Sequence, residues 1–290
     1  MQLGTTSGVA SLNQLAQRII ERADAGDIDK VVIDLRFNGG GDNSLARPFV
    51  QQVSAAKINQ KGRLFVVTGR HTYSAAMNFT SMFEERTAAV FVGEPPGGAP
   101  SHYGDNTPFV LPASKLPLRI STLHWDIGVR PSDVREVMET DLPAPPTFAD
   151  YRTGTDAPLK AIASYRDGDR LADRLLARYT AAGLDSAIAL YDRERATRAG
   201  ADIWSSDEQQ LVGFGYGVLS QAQQRAEIFR VFAFVTERYP DAPDAWTTQA
   251  RIHAFVNDTP EVLRAFARAR QLRPQNDFIR RSYEAAVRKQ

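Results

Sequence analysis

Ser74 stands where a serine can act as a nucleophile. It follows an apolar run, Leu64 to Thr68, and opens a stretch of helical periodicity that continues to about Glu85. The first amides of a helix lack acceptors within the helix and lie at the positive end of its dipole. A serine at such a corner can attack a carbonyl carbon while the N–H of Ala75 stabilises the oxyanion. The alternative role is a helix cap, which is common for serine.

A glycine turn, residues 39 to 41, could complete this site. It follows a second apolar run, Val31 to Leu35, and its backbone can approach a ligand closely because glycine carries no side chain. The turn could therefore supply a second oxyanion N–H. It lacks the Gly-Lys-Ser/Thr of a P-loop, and Ser44 stands where a dinucleotide-binding loop has its third glycine. The turn therefore favours acyl chemistry over nucleotide binding.

The composition excludes several other chemistries. The 290-residue chain has no cysteine, which excludes disulfides, zinc–thiolate sites and cysteine nucleophiles. The net charge of +1 gives no general reason to expect nucleic acid as a partner. No stretch approaches the roughly 18 apolar residues of a membrane span, and the amino terminus shows no export signal. The histidines have no metal-ligand spacing, so no metal is expected at any of them: His71, His102, His124 and His253.

Strand and helix patterns alternate through the first half of the chain. This alternation predicts an α/β fold with a parallel sheet covered on both faces. Loops at the carboxyl edge of such a sheet converge, so the Ser74 loop, the glycine turn and the loop over residues 93–98 are expected to meet. The predicted strands are residues 31–35, 64–68 and 89–92, and the predicted helices are residues 8–25, 45–56 and 74–85.

Two further segments precede a change of character in the chain. Residues 107–122 predict a short β segment, and the proline-rich residues 141–158 predict a linker across the domain surface. Beyond about residue 166 the strand signals vanish and helical periodicity dominates. We therefore predict one domain over residues 1–165 and a second, all-α domain over residues 166–290.

The second domain contains a repeat of 34 residues. Tyr239-Pro240-Asp241 recurs as Arg273-Pro274-Gln275, and Phe232 recurs as Phe266. A period of about 34 residues with two helices per unit is typical of tetratricopeptide repeats. The residues that resemble that family are small, aromatic or proline: Trp246, Ala250, Phe266, Ala269 and Pro274. The resemblance implies a helical domain that docks a protein partner, and a helical bundle without a peptide-binding role is the alternative.

Residues 31 to about 159 resemble the catalytic domain of the C-terminal processing peptidases, also called tail-specific proteases. Four segments match in order: VVIDLRFNGGG, RLFVVTGRHTYSAAMNF, TAAVFVGEPPGG, and the region from LPASKLPLRIST to TDAPL. The resemblance implies a crotonase/Clp-protease-like fold with Ser74 as the nucleophile. It assigns the oxyanion hole to the backbone N–H groups of Gly40 (or Gly41) and Ala75. The substrate it implies is an unstructured polypeptide or a C-terminal tail.

The chain departs from this family in two respects. The family's general-base lysine, counted from Ser74, falls on Ala99, and Met77 replaces the usual glutamate. His71 and His102 are close in sequence and could substitute as the base. Family members also carry a peptide-binding module and further strands before the Asp-Leu-Arg strand, where this chain has about 30 residues, so the sheet is expected to lack its N-terminal part. Family members are often exported, and the sequence itself predicts no location.

Three functions are compatible with these residues. The first is a serine-type peptidase that hydrolyses polypeptides through a Ser74 acyl-enzyme without metal or cofactor. The second is a catalytically inactive peptidase fold that binds ligands or partners through its sites and helical repeats, which Ala99 and Met77 favour. The third is a crotonase-type acyl-CoA enzyme, which would share the fold and the logic of the oxyanion hole.

Overall fold

The protein is described by a computed structural model that covers residues 11–128, 133–166, 168–198, 207–221 and 225–288. Contacts divide the chain into two compact units. The first comprises Met1–Pro131 and Arg135–Tyr165, and the second comprises Ser132–Val134 and Arg166–Gln290. Within the described part of the chain, no helix is both long and apolar enough to cross a membrane.

A four-stranded parallel sheet forms the centre of the first unit. Its strands are β1 (Val31–Asp34), β2 (Leu64–Thr68), β3 (Val90–Gly93) and β6 (Leu142–Pro143), in the order β1-β2-β3-β6. All five residues of β2 are buried, which is typical of a central strand in a parallel sheet. The predicted parallel sheet is confirmed.

Helices cover both faces of this sheet, as predicted. On one face lie α1 (Leu12–Asp24), α2 (Ala46–Ala55) and α3 (Ala75–Arg86). Their core includes an aromatic cluster in which the rings of Phe79 and Phe83 lie 5.0 Å apart. On the other face, α5 (Ala157–Ser164) contributes Ile162 to a second core. The predicted first helix is confirmed from Leu12 onwards, and its residues 8–10 lie outside the described residues.

The predicted short β segment is wrong in extent, because the structure forms a long antiparallel hairpin there. Its strands are β4 (His102–Val110) and β5 (Pro117–Trp125), paired from His102↔Trp125 to Val110↔Pro117. Most residues of both strands are exposed. A strand with one buried face alternates apolar and polar residues in the sequence. These strands bury neither face, so they lack that alternation.

The predicted linker over residues 141–158 is also wrong. It contains β6, which pairs with β3, and α4 (Phe148–Thr153), and it leads directly into α5. Thr147 and Asp156 cap the two helices through their side chains. Pro158 lies in the first turn of α5, where proline is tolerated because the amide it lacks has no helical acceptor. The segment was predicted to be a linker because it is rich in proline, and the two helices were therefore missed.

The described residues of the second unit form helices and the loops between them, and no strand. The helices are α6 (Leu171–Ala182), α7 (Leu184–Arg198), α8 (Glu208–Gln221), α9 (Arg225–Arg238), α10 (Pro243–Ala254), α11 (Thr259–Leu272) and α12 (Asp277–Val287). Both bounds of α11 lie 34 residues beyond those of α9, and α12 begins 34 residues after α10. The sequence period is thus also the period of the helices, and the tetratricopeptide class stays a prediction.

Candidate active site

Ser74 occupies a strained corner between β2 and α3. Its backbone has φ 54° and ψ −128°, a conformation that costs a residue with a side chain about 1–3 kcal/mol. Ser74 is the N-cap residue of α3 by position, and its side chain makes no capping hydrogen bond to the helix. A strained serine on a strand-to-helix turn is the geometry of a nucleophile elbow. The Ser74 hydroxyl is thus not used to satisfy the end of the helix that it precedes.

The first amide of α3 is available beside this hydroxyl. The N–H groups of Met77 and Asn78 donate to the Ser74 carbonyl at 2.8 and 3.1 Å, and the N–H of Ala76 donates to the Tyr73 carbonyl. Among the described residues the Ala75 N–H has no acceptor. This amide can therefore bind an oxyanion formed next to Ser74.

Gly40 lies directly against Ser74 and Ala75. A β-carbon at Gly40 would lie 2.8 Å from Ser74 Cβ, 3.1 Å from Ser74 Oγ and 3.0 Å from the Ala75 nitrogen. The backbone of Gly40 also has φ +115°, which residues with side chains rarely adopt. By contrast, a β-carbon at Gly39 would meet nothing within 4 Å. The structure thus brings Gly40, Ser74 and Ala75 together, and Gly41 follows in the same turn.

The loop after β3 completes the group of three loops. The N–H of Gly97 donates to the Thr72 carbonyl at 3.0 Å. A β-carbon at Gly98 would lie 3.0 Å from the ring of Tyr73, the residue before Ser74. All three loops leave the carboxyl ends of neighbouring parallel strands, where α/β proteins bind ligands. The predicted convergence of the three loops is confirmed.

Sequence reasoning missed the residues that hold these loops in place. Thr72 is fully buried, and its hydroxyl donates to the Leu35 carbonyl at 2.7 Å, tying the Ser74 loop to the end of β1. Arg36 forms ion pairs with Asp34 at 2.7 Å and with Asp156 at 2.8 Å. The hydrogen bond from Arg36 lowers the pKa of Asp156. The only signal in the sequence was the order Asp-Leu-Arg, which does not reveal the distant partner.

Neither candidate histidine forms a hydrogen bond with Ser74 in the part of the chain that the structure describes. His71 is exposed, with its ring 6.4 Å from that of Phe37. His102 is buried, with its ring 5.9 Å from that of Tyr73 and its Nδ1 3.1 Å from the Ala99 carbonyl oxygen. Its Nε2 is buried and has no partner among the described residues. Burial lowers the pKa of His102, so the ring stays neutral more readily than an exposed one.

The lowered pKa of His102 predicts a loss of stability on the acid side. A folded-state pKa below the unfolded value of about 6.5 means that protonation favours the unfolded chain. The contribution of neutral His102 to the free energy of unfolding is thus fully present above about pH 6.5. It is lost as the pH drops towards the folded-state pKa. His102→Phe keeps a ring beside Tyr73 and is expected to reduce the fall in melting temperature between about pH 7 and pH 5.5.

The exposed His71 offers the matched control for this measurement. His71→Gln is expected to keep the wild-type fall in melting temperature over the same pH range. Equal pH dependence in wild type and His102→Phe would contradict the prediction.

The described residues also contain no group of three or more His, Asp or Glu side chains arranged to bind a metal ion.

Among known proteins, the chain is distantly similar to solved structures. No protein-family model and no curated protein matches the chain. A Bacteroides fragilis NCTC 9343 protein assigned to the S41 proteases is 17% identical, with a TM-score of 0.36, over 55% of this chain and 50% of that one. A Parabacteroides merdae ATCC 43184 protein assigned as a peptidase is 18% identical, with a TM-score of 0.42, over 58% and 61%.

A third similar structure is the photosystem II D1 C-terminal processing protease. It is 17% identical with a TM-score of 0.33, over 53% of this chain and 43% of that one. These three structures are named as proteases or peptidases, and the chain spans about half of their length. Identities and scores at this level carry no argument about activity, so a functional proposal has to rest on the site.

Proposed function

We propose that the first unit is a serine-type peptidase domain that hydrolyses unstructured polypeptides or C-terminal tails through a Ser74 acyl-enzyme. The observation that carries the proposal is the conformation of Ser74. Its backbone is strained, its hydroxyl caps no helix, and the free amide of Ala75 lies beside it. A serine with only a structural role would have no reason to keep this strain.

The chemistry begins with attack of Ser74 Oγ on the carbonyl carbon of a peptide bond. The hydroxyl proton passes to a base, and the negative charge on the carbonyl oxygen is stabilised by the Ala75 N–H and an amide of the glycine turn. The C–N bond then breaks and the amine leaves with a proton. Water attacks the resulting ester, releases the carboxylic acid and restores the Ser74 hydroxyl.

Exposed aromatic residues on the loops of the site support a polypeptide substrate. Phe37 precedes the glycine turn and is 80% exposed, and Tyr73 is 46% exposed. Phe37 lies three residues before Gly40 and Tyr73 immediately precedes Ser74, so the two rings lie on two of the converging loops. Exposed aromatic rings can bind the apolar side chains of an extended chain.

A catalytically inactive peptide-binding protein is the second candidate. Position 99, where the family resemblance would place the base, is an alanine whose carbonyl oxygen faces His102 Nδ1. The Ser74 hydroxyl also has no hydrogen-bond partner among the described residues. In this case the 34-residue helix period of the second unit supports a tetratricopeptide-like surface for a protein partner.

A fluorophosphonate probe separates these two functions. If Ser74 is an activated nucleophile, the folded wild-type chain is expected to form a covalent adduct at Ser74, located by peptide mass spectrometry. Ser74→Ala is expected to lower labelling by at least about 100-fold, because removing the nucleophile leaves only background reaction. Ser54, in α2, stays present as an unreactive serine within the same molecule. An unlabelled, folded wild type would contradict the peptidase and favour the binding protein.

A further inference from the structure

Asn38 is a buried polar residue placed between the glycine turn and the Ser74 loop. Only 4% of its surface is exposed. Its side-chain Oδ1 accepts a hydrogen bond from the Gly40 N–H at 3.0 Å, and its backbone carbonyl accepts one from the Tyr73 N–H at 3.2 Å. Its own N–H donates to the Leu35 carbonyl at 3.0 Å. Asn38 therefore joins the end of β1, the glycine turn and the residue before Ser74.

The hydrogen bond from Gly40 has a consequence for the oxyanion hole. An amide that already donates to Asn38 Oδ1 is not free to donate to a substrate oxygen. Gly40 therefore contributes open space rather than its N–H, because its missing side chain leaves room beside Ser74 Oγ and the Ala75 nitrogen. The family resemblance named two amides of this turn as candidates for the oxyanion hole, Gly40 and Gly41. Of these two, the Gly41 amide remains.

We propose that Asn38 is a positioning residue of this site, which holds the glycine turn against Ser74 and leaves oxyanion binding to the amides of Gly41 and Ala75. The inference rests on the proposed function. Without the Asn38 side chain, the Gly40 N–H loses its acceptor and the turn is free to shift. A shift of about 1 Å in a catalytic arrangement can cost about 100-fold in rate.

Asn59 provides a matched control within the same unit. It is also an asparagine that anchors loops, because its Oδ1 accepts from the Ala88 N–H at 2.7 Å and its Nδ2 donates to the Ser54 carbonyl at 2.8 Å. It precedes β2, and Ala88 precedes β3, so it lies at the amino ends of the strands, away from Ser74. Asn59→Ala therefore removes a similar anchor from the opposite edge of the sheet.

The test measures the rate of fluorophosphonate labelling at increasing probe concentration, together with the melting temperature. Asn38→Ala is expected to lower the limiting labelling rate by about 10- to 100-fold with little change in the half-saturating concentration. Asn59→Ala is expected to lower the melting temperature and keep the wild-type labelling rate. Asn38→Ser retains a neutral acceptor for the amide two residues on, and is expected to recover part of the rate.

Hydrogen exchange supplies a readout that does not depend on reactivity. In Asn38→Ala the Gly40 amide is expected to exchange at least about 10-fold faster, while the amides of α3 keep their protection. Labelling of Asn38→Ala at the rate of Asn59→Ala would overturn the inference and leave the proposed function standing. An Asn38→Ser variant as slow as Asn38→Ala would also overturn it. A wild type that is never labelled would overturn the proposed function and this inference with it.

Discussion

Replacing Gly40 with alanine is expected to reduce labelling and hydrolysis at Ser74 by at least about 100- to 1,000-fold, because the added methyl group blocks the Ala75 amide and the loss of one oxyanion-hole donor has a cost of this size. The added β-carbon would lie 3.0 Å from the Ala75 nitrogen and 3.1 Å from Ser74 Oγ. It would therefore fill the space between the nucleophile and the amide, where the substrate's carbonyl oxygen has to sit. The measurement is the second-order rate constant of labelling, with folding checked by circular dichroism.

Gly39→Ala is the matched control for this change. It adds the same methyl group one residue earlier in the same turn, where a β-carbon would meet nothing within 4 Å. Its labelling rate is expected to stay within about 3-fold of wild type, because an open surface position tolerates a small side chain. Gly40→Ala also places alanine at φ +115°, so its melting temperature is expected to fall. A folded Gly40→Ala variant that reacts at the rate of Gly39→Ala would show that the space beside Gly40 is not part of the site.

The second large effect concerns stability at Ser74 itself. Ser74→Gly is expected to be more stable than Ser74→Ala by about 1 kcal/mol, although both lose the nucleophile. Glycine adopts φ 54° and ψ −128° without steric cost, whereas alanine keeps the strain of the wild-type residue. For a chain of this size the difference corresponds to about 2–4 °C in melting temperature. Thermal unfolding of the two variants measures it directly.

Ser54 offers the comparison that makes this order informative. It lies in the regular helix α2, where glycine is less stable than alanine by about 0.5–1 kcal/mol. The ranking of glycine and alanine is therefore expected to reverse between residues 54 and 74. If alanine were the more stable replacement at both positions, the backbone at Ser74 would not be strained and the argument from strain would fail.

The sequence was sufficient to predict three of the four strands of the sheet and the meeting of its loops. The run from Leu64 to Thr68 is continuous, apolar and β-branched, and it forms β2 with the same bounds because a buried parallel strand selects those residues. The 34-residue repeat also reappears in the bounds of α9 and α11. The strand is visible in a sequence because its signal lies within a few residues, and the repeat is visible because similar residues recur at a fixed spacing.

The details of the candidate site were not predictable in this way. The strain at Ser74, the hydrogen bond between Asn38 and Gly40, and the ion pair between Arg36 and Asp156 join residues that local patterns do not relate. The hairpin of β4 and β5 was underestimated because its strands are exposed on both faces. Burial gives strands their sequence pattern, so an element that buries little leaves only a weak signal.

The close packing of the loop after β3 limits how the site could change by substitution. A β-carbon at Gly97 would collide with the Arg70 carbonyl oxygen, and one at Gly98 would press on the Tyr73 ring. A longer residue at Gly97 has to displace the backbone of Arg70, and one at Gly98 has to displace the ring of Tyr73, the residue before Ser74. Ala99 is the first residue after them that already carries a side chain, so among residues 97–99 it is the position at which a longer residue introduces no new β-carbon.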